Sequence, residues 1–143
     1  MPWFQRDRDT EVAASEPDDS LVADLAALRR YLNRHAERLP AVSVVTAHQI
    51  GDVLRAVIDT AGDRPLDAHT AVRLRGFLTD YVPTTVRTFL AADDQVAALQ
   101  EQLERLLEEA TTLLGNARSY DSDAVLTQGR FLATKFSRSD LDL

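Results

Sequence analysis

The stretch DDQVAALQEQLERLLEEATTLLGNA, residues 93–117, decides the fold class. Its apolar residues Val96, Leu99, Leu103, Leu106, Ala110, Leu113 and Ala117 recur at alternating spacings of three and four, the period of one helix face. Leu107 and Leu114 widen that face beyond a narrow two-stranded seam, which suits a helix packed on two or more neighbours in one bundle. Glu101, Glu104 and Glu108 fall opposite, with Arg105 placed four residues after Glu101 for a surface pairing. Asp93 and Asp94 supply negative charge where a helix dipole favours it. A long helix over 93–117 is therefore the expected central element.

Working outward, the same period continues in both directions. Leu21, Leu25, Leu28, Leu32, His35 and Leu39 form a seam that predicts a first helix from about Asp18-Asp19-Ser20 to before Pro40. Thr46 with Gln49 three residues later reads as a capping box for a second helix, with Ile50, Leu54, Val57 and Ala61 inward and Gly62 in the left-handed cap position. Asp67 reads as the N-cap of a third helix carrying Leu74, Phe77, Leu78 and Tyr81, which Pro83 ends or kinks. Thr84 or Thr85 then restarts a segment with Val86, Phe89 and Leu90 inward. After the turn-like Tyr120-Asp121-Ser122-Asp123, a last helix carries Val125, Leu126, Phe131, Leu132 and Phe136. The fold class is thus all-α: a single bundle of about five or six helices with a proline break near residue 83.

Length and composition agree. The chain has 143 residues, 45% apolar and 27% charged, enough for one domain with one core. Residues 1–18 hold little apolar content after Phe4 and read as a disordered acidic tail, leaving 19–138 as the bundle. The formal charge is −7, and residues 1–19, the tail with the first residue of the bundle, hold six acids against two bases and so account for −4 of it. The total of −7 argues against nucleic acid as a partner, and less strongly once those residues are set aside, since the rest of the chain carries only −3. Absence of cysteine excludes disulfides and thiolate chemistry. The N-terminus has no apolar core of a signal peptide, and the nearly uncharged stretch from Leu39 to Gly51 falls short of a membrane span, so a cytoplasmic chain is expected.

Residues with chemical potential are few. His35, His48 and His69 form no spaced ligand pair, His48 and His69 being expected in first turns of helices, so neither a metal nor another cofactor is expected. No nucleophile elbow or phosphate-binding glycine loop occurs, and the acids fall on outer faces or caps. Arg30, Arg34 and Arg38 line one outer stripe at i, i+4 and i+8, where mutual repulsion invites an anion. Trp3 and Phe4 put two large aromatics in the tail, the residue type that dominates interface hot spots.

The segment Asp80-Tyr81-Val82-Pro83-Thr84-Thr85-Val86-Arg87-Thr88-Phe89-Leu90 resembles the Tyr-Leu-Pro-Thr-Thr-Leu-x-x-Leu-Leu signature of the bacterial XpaC-like family, named for 5-bromo-4-chloroindolyl phosphate hydrolysis. Val82 and Val86 stand where the family has leucines. The order of elements C-terminal to this segment is also similar, so the resemblance covers residues 75–136. It implies a helical protein associated with toxic-anion and tellurite resistance or envelope stress, and it brings no catalytic motif onto these positions. Tyr81, Pro83, Thr84 and Thr85 read as architecture, a helix break with local capping. The hydrophobic N-terminal segments of some relatives are missing here.

Two functions are expected from these residues. The first is a non-enzymatic helical interaction or adaptor protein, in a bacterial stress or toxic-anion resistance system, with a protein partner and with self-association left open. The alternative is a hydrolase or small-ligand-binding protein with a site between helices near His48, His69 and Tyr81.

Overall fold

A computed structural model gives the fold. It describes the backbone of residues 17–62, 64–92 and 94–141, and the side chains of 19–119 except 63 and 93. Helix α1 spans Pro17–His35 and passes into a 3-10 turn, Ala36–Arg38. Helix α2 spans Ala41–Asp59, and α3 spans Ala68–Gly76. A π-helical turn, Phe77–Tyr81, leads directly into α4, Val82–Ala92. Helix α5 runs for 46 residues, Val96–Leu141. Every regular element among the described residues is helical, as the periodicity requires.

Because α3, the π turn and α4 follow one another without interruption, the described residues form four rods. The principal contacts run from α1 to α2, from α2 to α5, from α5 to α4, and from the π turn and α3 back to α1, closing a ring. The connection from Asp59 to Ala68 therefore joins rods on a diagonal of that ring. Gly62 lies within it at φ 52°, a left-handed conformation that glycine adopts without a Cβ clash. Asp67 caps α3 by accepting from the Thr70 amide at 3.3 Å.

The core is the one the spacing predicts. Leu21, Leu25, Leu28 and Leu32 of α1 and Ile50, Leu54 and Val57 of α2 are buried, as are Leu99, Leu103, Ala110, Leu113 and Ala117 of α5. Val96, at the start of the predicted seam, is instead 48% exposed. By length and composition α2 is the one described helix apolar enough to cross a membrane, and its apolar side is the part of the core that meets α1 and α5.

Three expectations are corrected. Thr46 is no N-cap: α2 begins at Ala41, after Pro40, and Thr46 lies inside it, buried, its hydroxyl donating to the Val42 carbonyl at 3.0 Å. Nor does a turn interrupt the last helix, since α5 continues through 120–123. Asp and Ser cost only a few tenths of a kcal/mol in a helix interior, so a polar cluster does not stop a helix already propagating.

The third correction concerns Pro83, where the predicted break is a π turn. At 100° per residue, buried Thr70, Leu74, Phe77 and Leu78 centre on one direction, while buried Val82, Val86 and Phe89 centre about 100° away, one residue out of phase. A regular α-helix would turn the second group off the core. The wider π turn absorbs the drift, with the Val82 amide donating to the Phe77 carbonyl five residues back. It also accommodates Pro83, which has no amide hydrogen to donate. Threonine hydroxyls take up carbonyls around it, Thr79 donating to Arg75 and Thr85 to Tyr81, both at 2.8 Å.

Gly115 lies inside α5, exposed, with nothing within 4 Å of where a Cβ would stand. Gly115→Ala is expected to raise the unfolding free energy by about 0.5–1 kcal/mol, because it only removes backbone freedom from the unfolded chain. Urea titration followed by circular dichroism checks this; a lowered midpoint would contradict the open environment.

Candidate functional site

The π turn builds the wall of a cleft. Asp80 and Tyr81 belong to the turn, Thr84 and Thr85 come after it on α4, and α5 supplies Leu106 and Glu109 from across the gap. Arg73 of α3 completes the lining around an open volume of about 400 Å³. Tyr81, one of the apolar positions of the predicted third helix, is 42% exposed. Its ring meets Phe77 edge-on, centroids 5.5 Å apart, and lies so close to Gly76 that a Cβ there would come within 3.1 Å of it. Both contacts hold the ring at the cleft.

Polar groups surround that ring. The Thr84 hydroxyl donates to Asp80 Oδ1 at 3.1 Å, orienting the carboxylate while leaving it further acceptor capacity. Arg73, Asp80 and Glu109 are all exposed, and among the described residues none of the three forms an ion pair. Leu106 is half-buried against the core and gives the cleft an apolar element. Sequence reasoning singled out Tyr81, Thr84 and Thr85 but missed Arg73, Asp80, Leu106 and Glu109. The four-residue spacing of Leu74, Leu78, Val82 and Val86 drifts by about 120° around a regular α-helix, a signal for the turn and so for Asp80, whereas no local pattern marks Arg73, Leu106 or Glu109.

The histidines stand elsewhere. His48 is in the middle of α2 and not in a first turn, whereas His69 is exposed in the first turn of α3. Neither lines the cleft at Tyr81. Arg29 reaches from α1 across to α2, donating to Asp52 at 2.8 Å and to His48 Nδ1 at 3.1 Å. A guanidinium offers only donors, so Nδ1 accepts and the ring proton sits on Nε2, which lies 3.1 Å from Asn33 Oδ1. Gly51 makes room for this crossing, since a Cβ there would fall 3.0 Å from Arg29 Nη1. His35 is half-buried and packs edge-on against Tyr31 at 4.7 Å. Among the described residues no three His, Asp or Glu side chains converge as metal ligands would.

The basic stripe is only partly continuous. Arg30 and Arg34 are exposed on α1 and form no ion pair among the described residues. Arg38 lies beyond α1, in the 3-10 turn, and donates to the Leu90 carbonyl at 2.9 Å near the C-terminal end of α4, where a cation opposes the negative end of the helix dipole. Trp3 and Phe4 lie outside the described residues.

No family model, no curated protein and no solved structure matches this chain.

Among the described residues the long helix exceeds every other rod in length. At 1.5 Å per residue α5 is about 69 Å long, against about 37 Å for the combined rod 68–92. Its described core positions end at Ala117, and residues 118–141 carry the same rod on by about 36 Å.

Proposed function

We propose that this chain is a non-enzymatic helical adaptor, engaging a protein partner along the part of α5 that follows Ala117. The observation that supports it is the length of that rod relative to its neighbours. Sequence adds Val125, Leu126, Leu132 and Phe136 at helical spacing along this stretch, the pattern of a helix that buries one side. Arg30 and Arg34 offer a second, electrostatic contact on the opposite end of the chain's order. The resemblance carried by Tyr81 to Val86 would connect such an adaptor with a bacterial envelope-stress or toxic-anion resistance system.

The test compares three forms as bait in extracts of the source organism: the full chain, a chain ending at Ala117, and Arg30→Glu with Arg34→Glu. A specific protein retained by the full chain and lost on truncation is expected, with the charge reversal weakening capture and flattening its salt dependence. Circular dichroism of the truncated chain checks that the bundle persists. Equal capture by the truncated and full chains, or no specific capture at all, overturns the reading. Recovery of the chain itself would identify the partner as a second copy.

A further inference from the structure

The cleft at the π turn has a composition that points to a particular ligand chemistry. Its two carboxylates, Asp80 and Glu109, come from different rods, and neither forms an ion pair among the described residues. Tyr81 presents a half-exposed aromatic ring beside them, fixed by Phe77 and by the absence of a side chain at Gly76. Carboxylates beside an aromatic face favour an organic ammonium, which gains Coulomb attraction and the ring quadrupole together. Arg73 forms no ion pair among the described residues and lines the same volume, so the cleft attracts an anion as well. Leu106 supplies apolar surface for the part of a ligand that joins the two charges.

We propose that this cleft binds a small aliphatic zwitterion, an ammonium and a carboxylate joined by a methylene chain. The ammonium lies with Asp80, Glu109 and the Tyr81 ring, the carboxylate with Arg73, and the chain against Leu106. A volume of about 400 Å³ is in the range of small-ligand sites and exceeds what such a molecule fills. This site is independent of the partner surface on α5 beyond Ala117. It also differs from the site expected from sequence, since neither His48 nor His69 takes part.

The probes are 6-aminohexanoate, hexylamine and hexanoate, titrated into the full ¹⁵N-labelled chain and followed by amide chemical shifts. Saturable shifts confined to the cleft residues are expected, with 6-aminohexanoate binding up to about fivefold tighter than either single-charge analogue, the gain of one exposed ion pair. Arg73→Gln should erase the preference for 6-aminohexanoate over hexylamine. Asp80→Asn combined with Glu109→Gln should erase its preference over hexanoate. These side chains are exposed, so the variants should keep the far-UV spectrum of the parent. Absence of saturable shifts with all three probes, or preferences unchanged in both variants, overturns the proposal.

Discussion

Phe77→Ala is expected to lower the unfolding free energy by about 3–5 kcal/mol, a large share of the stability of a single domain. Phe77 is fully buried and is the largest such side chain in the core. It sits in the π turn, between α3 and α4, where the contacts of α1 also converge. Truncation removes the transfer free energy of an aromatic ring and leaves a cavity that rigid helical backbone around it fills only in part. It also removes the edge-on partner of Tyr81 at 5.5 Å. Tyr81→Ala is the informative companion, because it deletes the same ring pair from a residue 42% exposed and should cost much less. Urea denaturation of both variants, monitored at a helical wavelength, separates the two. Equal midpoints for Phe77→Ala and the parent would mean that the turn is not part of the core.

The second large effect is a matter of polarity. Ser43 and Thr46 of α2 are buried, and Gln100 of α5 reaches both: the Ser43 hydroxyl donates to Gln100 Oε1 at 2.9 Å, and Gln100 Nε2 donates to Thr46 Oγ1 at 3.0 Å. Gln100 Nε2 also lies 3.1 Å from Glu104 Oε1, so every member of this group has a partner. Gln100→Leu leaves the Ser43 hydroxyl buried with no acceptor on α5, at a cost of about 1–3 kcal/mol. Adding Ser43→Ala removes the stranded hydroxyl and should recover most of that loss. A double-mutant cycle by chemical denaturation measures the coupling. Strict additivity of the two losses would show that the hydrogen bond does not couple the helices.

These two sites also mark where the sequence was legible and where it was not. The heptad-like run from Leu99 to Ala117 and the leucines of α1 were readable because burial repeats at the helix period and nothing competes with it. Thr46 misled because a threonine followed by a glutamine three residues on has the same local pattern whether it caps a helix or lies within one. In the fold its hydroxyl is used inside, donating to Val42 one turn back and accepting from Gln100, 54 positions away. Tyr120 to Asp123 misled for a related reason, since residues good at starting helices are only mildly poor at continuing them. Of the cleft, the sequence showed Tyr81, Thr84 and Thr85 as architecture. Leu106 and Glu109 are brought to it by packing between rods, which local patterns do not encode.

The π turn separates two properties that usually constrain each other. Measured against an α-helix with both its apolar faces on the core, the rod 68–92 holds one residue too many. The core gains nothing from that extra residue and only needs it accommodated. What it changes is the outer contour, setting Asp80 and Tyr81 into the cleft wall opposite α5. The exposed Arg73, Asp80 and Glu109 can therefore vary without disturbing the core, whereas Phe77 and Leu106 tie the cleft to the packing behind it.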